Sequence, residues 1–259
     1  MLLAINVNNT HTLVGLYESA TLAVHWRLQT DPARTIDEWV VMLRGLFGDW
    51  GMPRPPVRGI VLSSVVPPMN ARIEELCQRL FGQGPLIVGP GVRTGVPILY
   101  DNPKEVGADR IANAVAATER MPGPSIVVDF GTATTFDVVT AKGEYAGGVI
   151  VPGIGISLDA LIARTAKLPR VELAWPPKLL GRTTVHAIQA GVTYGYTALV
   201  DGLVERIREE QDRNARVLAT GGLAALIAPH STTIEAVDEF LTLDGLRIIY
   251  ARNGGRDAS

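Results

Sequence analysis

Short apolar runs broken by polar turns occupy residues 2–7, 11–17 and 21–27, which predicts three strands in succession. A helix follows over about 35–47, opened by Thr35-Ile36-Asp37-Glu38. Gly59-Ile60-Val61-Leu62-Ser63-Ser64 then reads as a buried strand, residues 69–81 as a helix and Pro85-Leu86-Ile87-Val88 as another strand. The second half opens in the same way, with strands near 125–129, 134–140 and 144–151 and helices over about 155–164 and 184–210. A strand at Arg216-Val217-Leu218-Ala219-Thr220 and a last helix near 240–252 complete it. Three meandering strands followed by alternating helix and strand predict an α/β protein with a mixed sheet in each half. The order is repeated once, so the expected domains are 1–118 and 119–259, closely packed with a cleft between them. Met121-Pro122-Gly123-Pro124 is a turn rather than a linker.

The repeat extends to detail. Ala4-Ile5-Asn6-Val7-Asn8-Asn9-Thr10-His11-Thr12 and Val127-Val128-Asp129-Phe130-Gly131-Thr132-Ala133-Thr134-Thr135 stand 123 positions apart. Each is an apolar strand ending in an amide or carboxylate, a small polar turn, and an exit through Thr into a second apolar run. Such a turn exposes backbone N–H groups and hydroxyls, which suits phosphate. For either hairpin alone, turn geometry explains the Asn, Gly and Thr residues. The pair, with its flanking segments, favours a nucleotide held between two halves.

Composition narrows the classes. The 259 residues are 47% hydrophobic and 19% charged, which gives an adequate core and excludes a mostly disordered chain. A net charge of −2 with scattered Lys and Arg offers no basic stripe for nucleic acid. The single cysteine, Cys77, excludes an internal disulfide and a cysteine-based zinc site, and its apolar helical position predicts burial. Residues 145–158 form an apolar stretch interrupted by Pro152, too short to span a bilayer, and Met1-Leu2-Leu3-Ala4-Ile5-Asn6 lacks a signal-peptide leader, so a cytoplasmic protein without membrane association is expected.

Asp101-Asn102-Pro103-Lys104-Glu105-Val106-Gly107-Ala108-Asp109-Arg110 is the most informative segment. Asn102, Pro103 and Glu105 have the spacing of a helix start, and Asp109 and Arg110 fall near the start of the helical stretch 111–117. A carboxylate there serves the helix dipole or, facing a cleft, accepts a hydroxyl proton; the guanidinium beside it can bind a carboxylate or phosphate. Gly221-Gly222 allows either a close approach to a flat ligand such as adenine or a tight strand-to-helix turn, and Gly147-Gly148 and Gly153 leave a similar choice. The chain contains no Walker-A loop, no protein-kinase HRD or DFG segment and no GxSxG elbow. Its four histidines, at 11, 25, 186 and 230, lack ligand spacing.

Together these motifs resemble the type III pantothenate kinases of the acetate kinase, sugar kinase, Hsp70 and actin superfamily. The DxGNTxT motif corresponds to residues 6–12, the DNPxxVGADR segment stands at 101–110 and DFGTATT at 129–135. The resemblance continues through Gly147-Gly148, Lys167-Leu168-Pro169, Thr184-Val185, Ala219-Thr220-Gly221-Gly222 and Leu241-Thr242-Leu243-Asp244-Gly245-Leu246, covering nearly the whole chain in order. It implies a duplicated ribonuclease-H-like, actin-like ATPase fold and ATP-dependent phosphorylation of pantothenate on the way to coenzyme A. In that reading Asp109 is the general base; Tyr100, Gly107, Ala108, Asp109, Arg110 and Thr184 meet pantothenate; Asn6, Val7, Asn8, Asn9, Thr10, His11, Thr12, Leu13 and Thr132 hold the ATP phosphates. Asp129 binds a monovalent cation, potassium or ammonium; magnesium accompanies ATP; and the protein is a homodimer.

Two positions depart from the pattern, and Asn8, where the usual residue is Gly, is the one the loose family pattern tolerates. Asn6 stands where the family has Asp, removing an anionic oxygen from the place where magnesium would be organised. Asp129 keeps the carboxylate at the equivalent place in the other half. Reduced activity follows, or, as the alternative, a relative that binds pantothenate or nucleotide without turning it over.

Overall fold

The computed structural model describes residues 1–254, which form two compact units. The first comprises Met1–Pro97, Asp101–Ala116 and the segment from Leu241; the second comprises Ile98–Tyr100 and Ala117–Phe240.

In the first unit, β1 (Leu2–Val7), β2 (His11–Glu18) and β3 (Thr21–Gln29) form an antiparallel meander. Helix α1 (Ile36–Asp49), β4 (Gly59–Ser64), α2 (Pro67–Phe81) and β5 (Leu86–Ile87) follow, and β4 and β5 add to the sheet in parallel. The sheet order is β3-β2-β1-β4-β5. Alternation along β1 sends Leu3, Ile5 and Val7 into a core with Trp39, Leu43 and Phe47 of α1 and Met69, Ile73 and Leu76 of α2. Thr35 and Glu38 form the capping box that starts α1. Cys77 is buried in this core, which pushes its thiol up to about 12 and leaves it unreactive.

The opposite face of β1 carries Leu2, Ala4 and Asn6. It is covered by α7 (Leu241–Arg252), the last helix of the chain. Glycines set the approach. A Cβ at Gly59 would lie 2.0 Å from the Tyr250 hydroxyl oxygen, and one at Gly15 would lie 3.0 Å from Leu243 Cδ1. Helix α3 (Ala108–Arg120) packs on α7 in turn: a Cβ at Gly245 would lie 1.9 Å from the Ala112 carbonyl oxygen, and the Thr242 hydroxyl bonds Asn113 Oδ1 at 2.7 Å. Tyr17 donates to Asp244 at 2.8 Å. A division at 118/119 would leave α7 with the second half, whereas its apolar side lies on the first sheet.

In the second unit, β6 (Ser125–Phe130), β7 (Ala133–Val139) and β8 (Tyr145–Pro152) repeat the meander. Helices α4 (Ile154–Ala163) and α5 (Thr184–Glu210), then β9 (Arg216–Thr220), α6 (Ala224–Ile227) and β10 (Ala236–Val237) complete it. Read from β8, the order is β8-β7-β6-β9-β10, which is the first sheet's order of third, second, first, fourth and fifth strands, with the same parallel and antiparallel pairings. Ile126, Val128 and Phe130 of β6 share a core with Ile154 and Leu158 of α4 and Ile188, Val192, Val200 and Val204 of α5.

The predicted elements stand where expected, with three differences. The strand expected over Pro85–Val88 shortens to two residues, and β10 was not anticipated. Asn102, Pro103 and Glu105 initiate a separate 3-10 turn over Pro103–Glu105 rather than α3 itself. The Asn102 amide donates to Glu105 Oε1 at 2.8 Å, and α3 starts afresh after Gly107.

Candidate active site

The β1–β2 turn spans three residues, Asn8, Asn9 and Thr10, closed by the Asn8 N–H donating to the His11 carbonyl at 3.0 Å. Asn9, Thr10 and His11 are exposed. Partial desolvation, and then the charge of Arg27, hold the exposed His11 imidazole below its ordinary value. Asn6 differs sharply: it is 1% exposed, and neither Oδ1 nor Nδ2 has a hydrogen-bond partner among the described residues. Such an orphan amide costs about 1–3 kcal/mol, and a ligand that bonds it recovers that cost. Val7 and Thr12 point to the other side. Val7 lies in the core against α1 and α2, and Thr12 is buried with its hydroxyl 2.9 Å from that of Thr30. Leu13 stands opposite Asn6 on β2. Of the residues 6–13 expected at phosphate, Val7, Thr12 and Leu13 therefore offer backbone groups at most, and the polar side chains that remain are Asn6, Asn8, Asn9, Thr10 and His11.

The second feature of this unit is the turn into α3. Asp109 stands in the first turn, and its Oδ1 accepts the Arg110 backbone N–H at 2.8 Å. Burial nevertheless dominates and holds its carboxyl above the ordinary aspartate value, against the opposing effects of that hydrogen bond and the Arg110 charge. A raised proton affinity at a carboxylate is what a general base requires. Gly107 makes room for it, since a Cβ there would lie 2.5 Å from Asp109 Oδ1. The same atom would lie 3.6 Å from Val65 Cγ1, so the Asp109 turn rests against the chain leaving β4. Arg110 is 8% exposed and Ala108 opens the helix.

In the second unit the corresponding turn has two residues, Gly131 and Thr132, with the Gly131 N–H donating to the Ala133 carbonyl at 3.1 Å. The Thr132 carbonyl accepts the Gly153 N–H at 3.1 Å, and a Cβ at Gly153 would lie 2.1 Å from that oxygen. Gly153 therefore serves close packing against the turn. Gly221 does the same for Asp129: its φ is +91°, and a Cβ would lie 2.5 Å from Asp129 Oδ1 and 2.7 Å from the Phe130 backbone. The Gly221 freedom is thus used by the end of β6, which favours the tight-turn reading over a close approach to adenine.

Tyr100 packs at 6.3 Å between ring centroids from Tyr145, whose hydroxyl donates to buried Asp137 at 2.8 Å. Thr184 begins α5 but does not cap it. Thr183 does, accepting the His186 N–H at 3.2 Å, which leaves Thr184 exposed. Asn6, Asp109 and Arg110 are therefore parts of the first unit, and Asp129, Thr132, Tyr100 and Thr184 parts of the second. Among the described residues no group of three His, Cys, Asp or Glu side chains could hold a metal ion.

One residue beside Asn6 escaped the sequence reading: Ser63, paired with it in register on β4, is fully buried and its hydroxyl has no partner among the described residues. A serine ending an apolar strand carries no motif, so only the sheet register reveals it.

Comparison with known proteins agrees with this architecture. The activator of 2-hydroxyisocaproyl-CoA dehydratase from Clostridium difficile, solved with bound ADPNP, superposes with a TM-score of 0.54 at 14% identity, covering 98% of this chain and 95% of that one. At that identity the likeness speaks for the actin-like ATPase fold alone. The type III pantothenate kinase of Anaeromyxobacter dehalogenans is 56% identical over 253 residues, 98% of this chain and 100% of its own. That of Myxococcus xanthus is 55% identical, covering 98% and 99%. The family profile for type III pantothenate kinase matches residues 2–206. With that profile over most of its length and more than half its residues shared with such relatives end to end, this chain belongs to the type III pantothenate kinase family.

Proposed function

We propose that this protein transfers the terminal phosphoryl group of ATP to the primary hydroxyl of pantothenate, giving 4'-phosphopantothenate and ADP on the way to coenzyme A. The observation that carries the reading is the Asp109 carboxyl, its proton affinity raised by burial, seated over Gly107 beside the end of β4 in the unit that also holds the orphaned Asn6 turn.

Asp109 takes the hydroxyl proton as the pantothenate oxygen attacks phosphorus and the bond to the ADP oxygen breaks. Little covalent chemistry is asked of the protein beyond this, so positioning and charge neutralisation dominate the barrier. Gly107, Ala108 and Arg110 frame the substrate, with the Arg110 guanidinium directed to the pantothenate carboxylate. Tyr100 and Thr184 are the further pantothenate contacts of this proposal. Asn6, Asn8, Asn9, Thr10 and His11, with the backbone of Val7, Thr12 and Leu13, receive phosphate, as does Thr132. Magnesium enters as part of the Mg·ATP substrate. Asp129, a carboxylate oxygen donor against which Gly221 closes, is the place for potassium or ammonium.

The test is phosphorylation of pantothenate by ATP, compared with sugars and acetate as acceptors and run with potassium, ammonium or sodium as the sole monovalent cation. Pantothenate alone is expected to be consumed, with potassium and ammonium above sodium. Calorimetric binding of pantothenate with no product under any cation would instead favour a non-catalytic binding protein.

The homodimer is proposed on a second observation. In the second unit Ile150, Ile156, Leu161, Leu179, Leu180 and Val185 are exposed, Leu180 at 85%, and Val185 adjoins Thr184. Sedimentation equilibrium is expected to give twice the chain mass of 27.7 kDa; a monomer at micromolar concentration would refute it. No helix among the described residues is long and apolar enough to cross a membrane, and the use of ATP fits a cytoplasmic enzyme.

A further inference from the structure

We propose that Ser63 is a ligand for the terminal phosphate of the nucleotide, acting with Asn6 as a neutral pair of hydrogen-bond donors. The proposal rests on the phosphoryl-transfer reading above and adds a residue and a charge type to it.

Three facts about the first unit lead there. Asn6 and Ser63 are partners in the parallel register of β1 and β4, so their side chains project from the same face near the carboxyl ends of adjacent strands. That is where open α/β sheets receive ligands. Both are buried, at 1% and 0% exposure, and their three polar side-chain atoms, Asn6 Oδ1, Asn6 Nδ2 and Ser63 Oγ, all lack partners among the described residues. Two adjacent buried polar groups left unsatisfied are a cost without return unless something polar joins them. Finally, β4 runs directly into Val65, which packs against Gly107 under the Asp109 carboxyl. Ser63 is thus paired with the strand that ends in the Asn8–Thr10 turn and lies two residues before the chain's contact with the Asp109 turn, which assigns it to the phosphoryl group in transit rather than to the inner phosphates.

The duplicated architecture repeats the arrangement. In the second unit Asp129 pairs in register with Thr220, a buried hydroxyl residue at the end of the corresponding strand, β9. A hydroxyl thus sits beside the polar strand end in both units. In the first unit, however, both members are uncharged, and Nδ2–H and Oγ–H are donors suited to phosphate oxygens.

The experiment uses calorimetry with AMP-PNP and ADP as probes, alongside thermal melting of the free protein. Ser63→Ala removes an orphan hydroxyl, so the free variant is expected to melt no lower than the parent. Its AMP-PNP affinity is expected to fall about tenfold while ADP affinity stays within about twofold. Ser63→Cys, which keeps volume and a weak donor, should fall between and covers the case in which Ser63→Ala does not fold. An unchanged ratio of AMP-PNP to ADP affinity in the folded variants would overturn the proposal, as would a parent that binds no AMP-PNP. If the ratio shifts but the parent makes no phosphopantothenate, the acceptor assignment fails and the Ser63 site stands. If phosphopantothenate is made and the ratio is unmoved, the reverse holds.

Discussion

Asp109→Asn is expected to lower turnover by about 10²–10⁴-fold, the range for loss of a positioned general base, and at the same time to raise the melting temperature at neutral pH. The two effects share one cause. Burial lifts the Asp109 carboxyl above its ordinary value, so the fold favours the protonated form and the charged form that catalysis needs is the costly one. The sign fixes the pH dependence. A carboxyl raised in the folded state contributes its stability below the unfolded value, and that contribution is lost as pH rises through the folded value. The melting gain of Asp109→Asn should therefore be present at neutral pH and vanish in acid. In the parent, kcat/KM should fall on acidification in a limb lying above the ordinary aspartate range, and the variant's residual rate should lack that limb. Melting curves and rate profiles across pH check both halves. A variant that keeps its rate would remove Asp109 from the reaction.

Asn6→Asp is the second large effect, expected to raise turnover with Mg·ATP about tenfold by supplying an anionic oxygen for the hydrated cation. Position 6 is 1% exposed, so the free variant buries a carboxylate without a counter-charge and should melt below the parent. Its own carboxyl would be raised, so the melting deficit should be larger near pH 8 than near pH 5, roughly. Without magnesium, the new carboxylate repels phosphate, and AMP-PNP should bind more weakly than it does to the parent. The signature is thus a nucleotide affinity that becomes strongly magnesium-dependent. If the rate in saturating magnesium does not rise, position 6 does not limit turnover.

The strand and helix order was legible because the local signals agree with the tertiary ones. Apolar runs of period two mark β1 and β2, the Thr35–Glu38 box marks α1, and the sheet then forms in the order those strands allow. What was not legible depends on packing across sequence distance. Asn102, Pro103 and Glu105 satisfy each other locally and so read as a helix start, but Gly107, whose missing Cβ leaves space for Asp109 Oδ1, separates that turn from α3. Thr12 reads as a phosphate hydroxyl, yet the alternation of β2 turns it inward to Thr30, and nothing local announces that partner. Gly221 offered two uses, and only the 2.7 Å approach to Phe130 selects between them. Ser63 gave no signal at all, because its meaning lies in its register with Asn6.

Helix α7 carries a consequence for biogenesis. Its residues cover β1, β2 and β4, strands made at the opposite end of the chain. A ribosome that has already delivered all of β1–β5 therefore leaves one side of that sheet bare, Gly15 and Gly59 included, until residues beyond 240 emerge. Every segment of the second unit is translated in that interval. Vectorial synthesis thus leaves the amino-terminal sheet without its covering helix until the later-made unit has been translated, an interval in which its apolar face is open to chaperones.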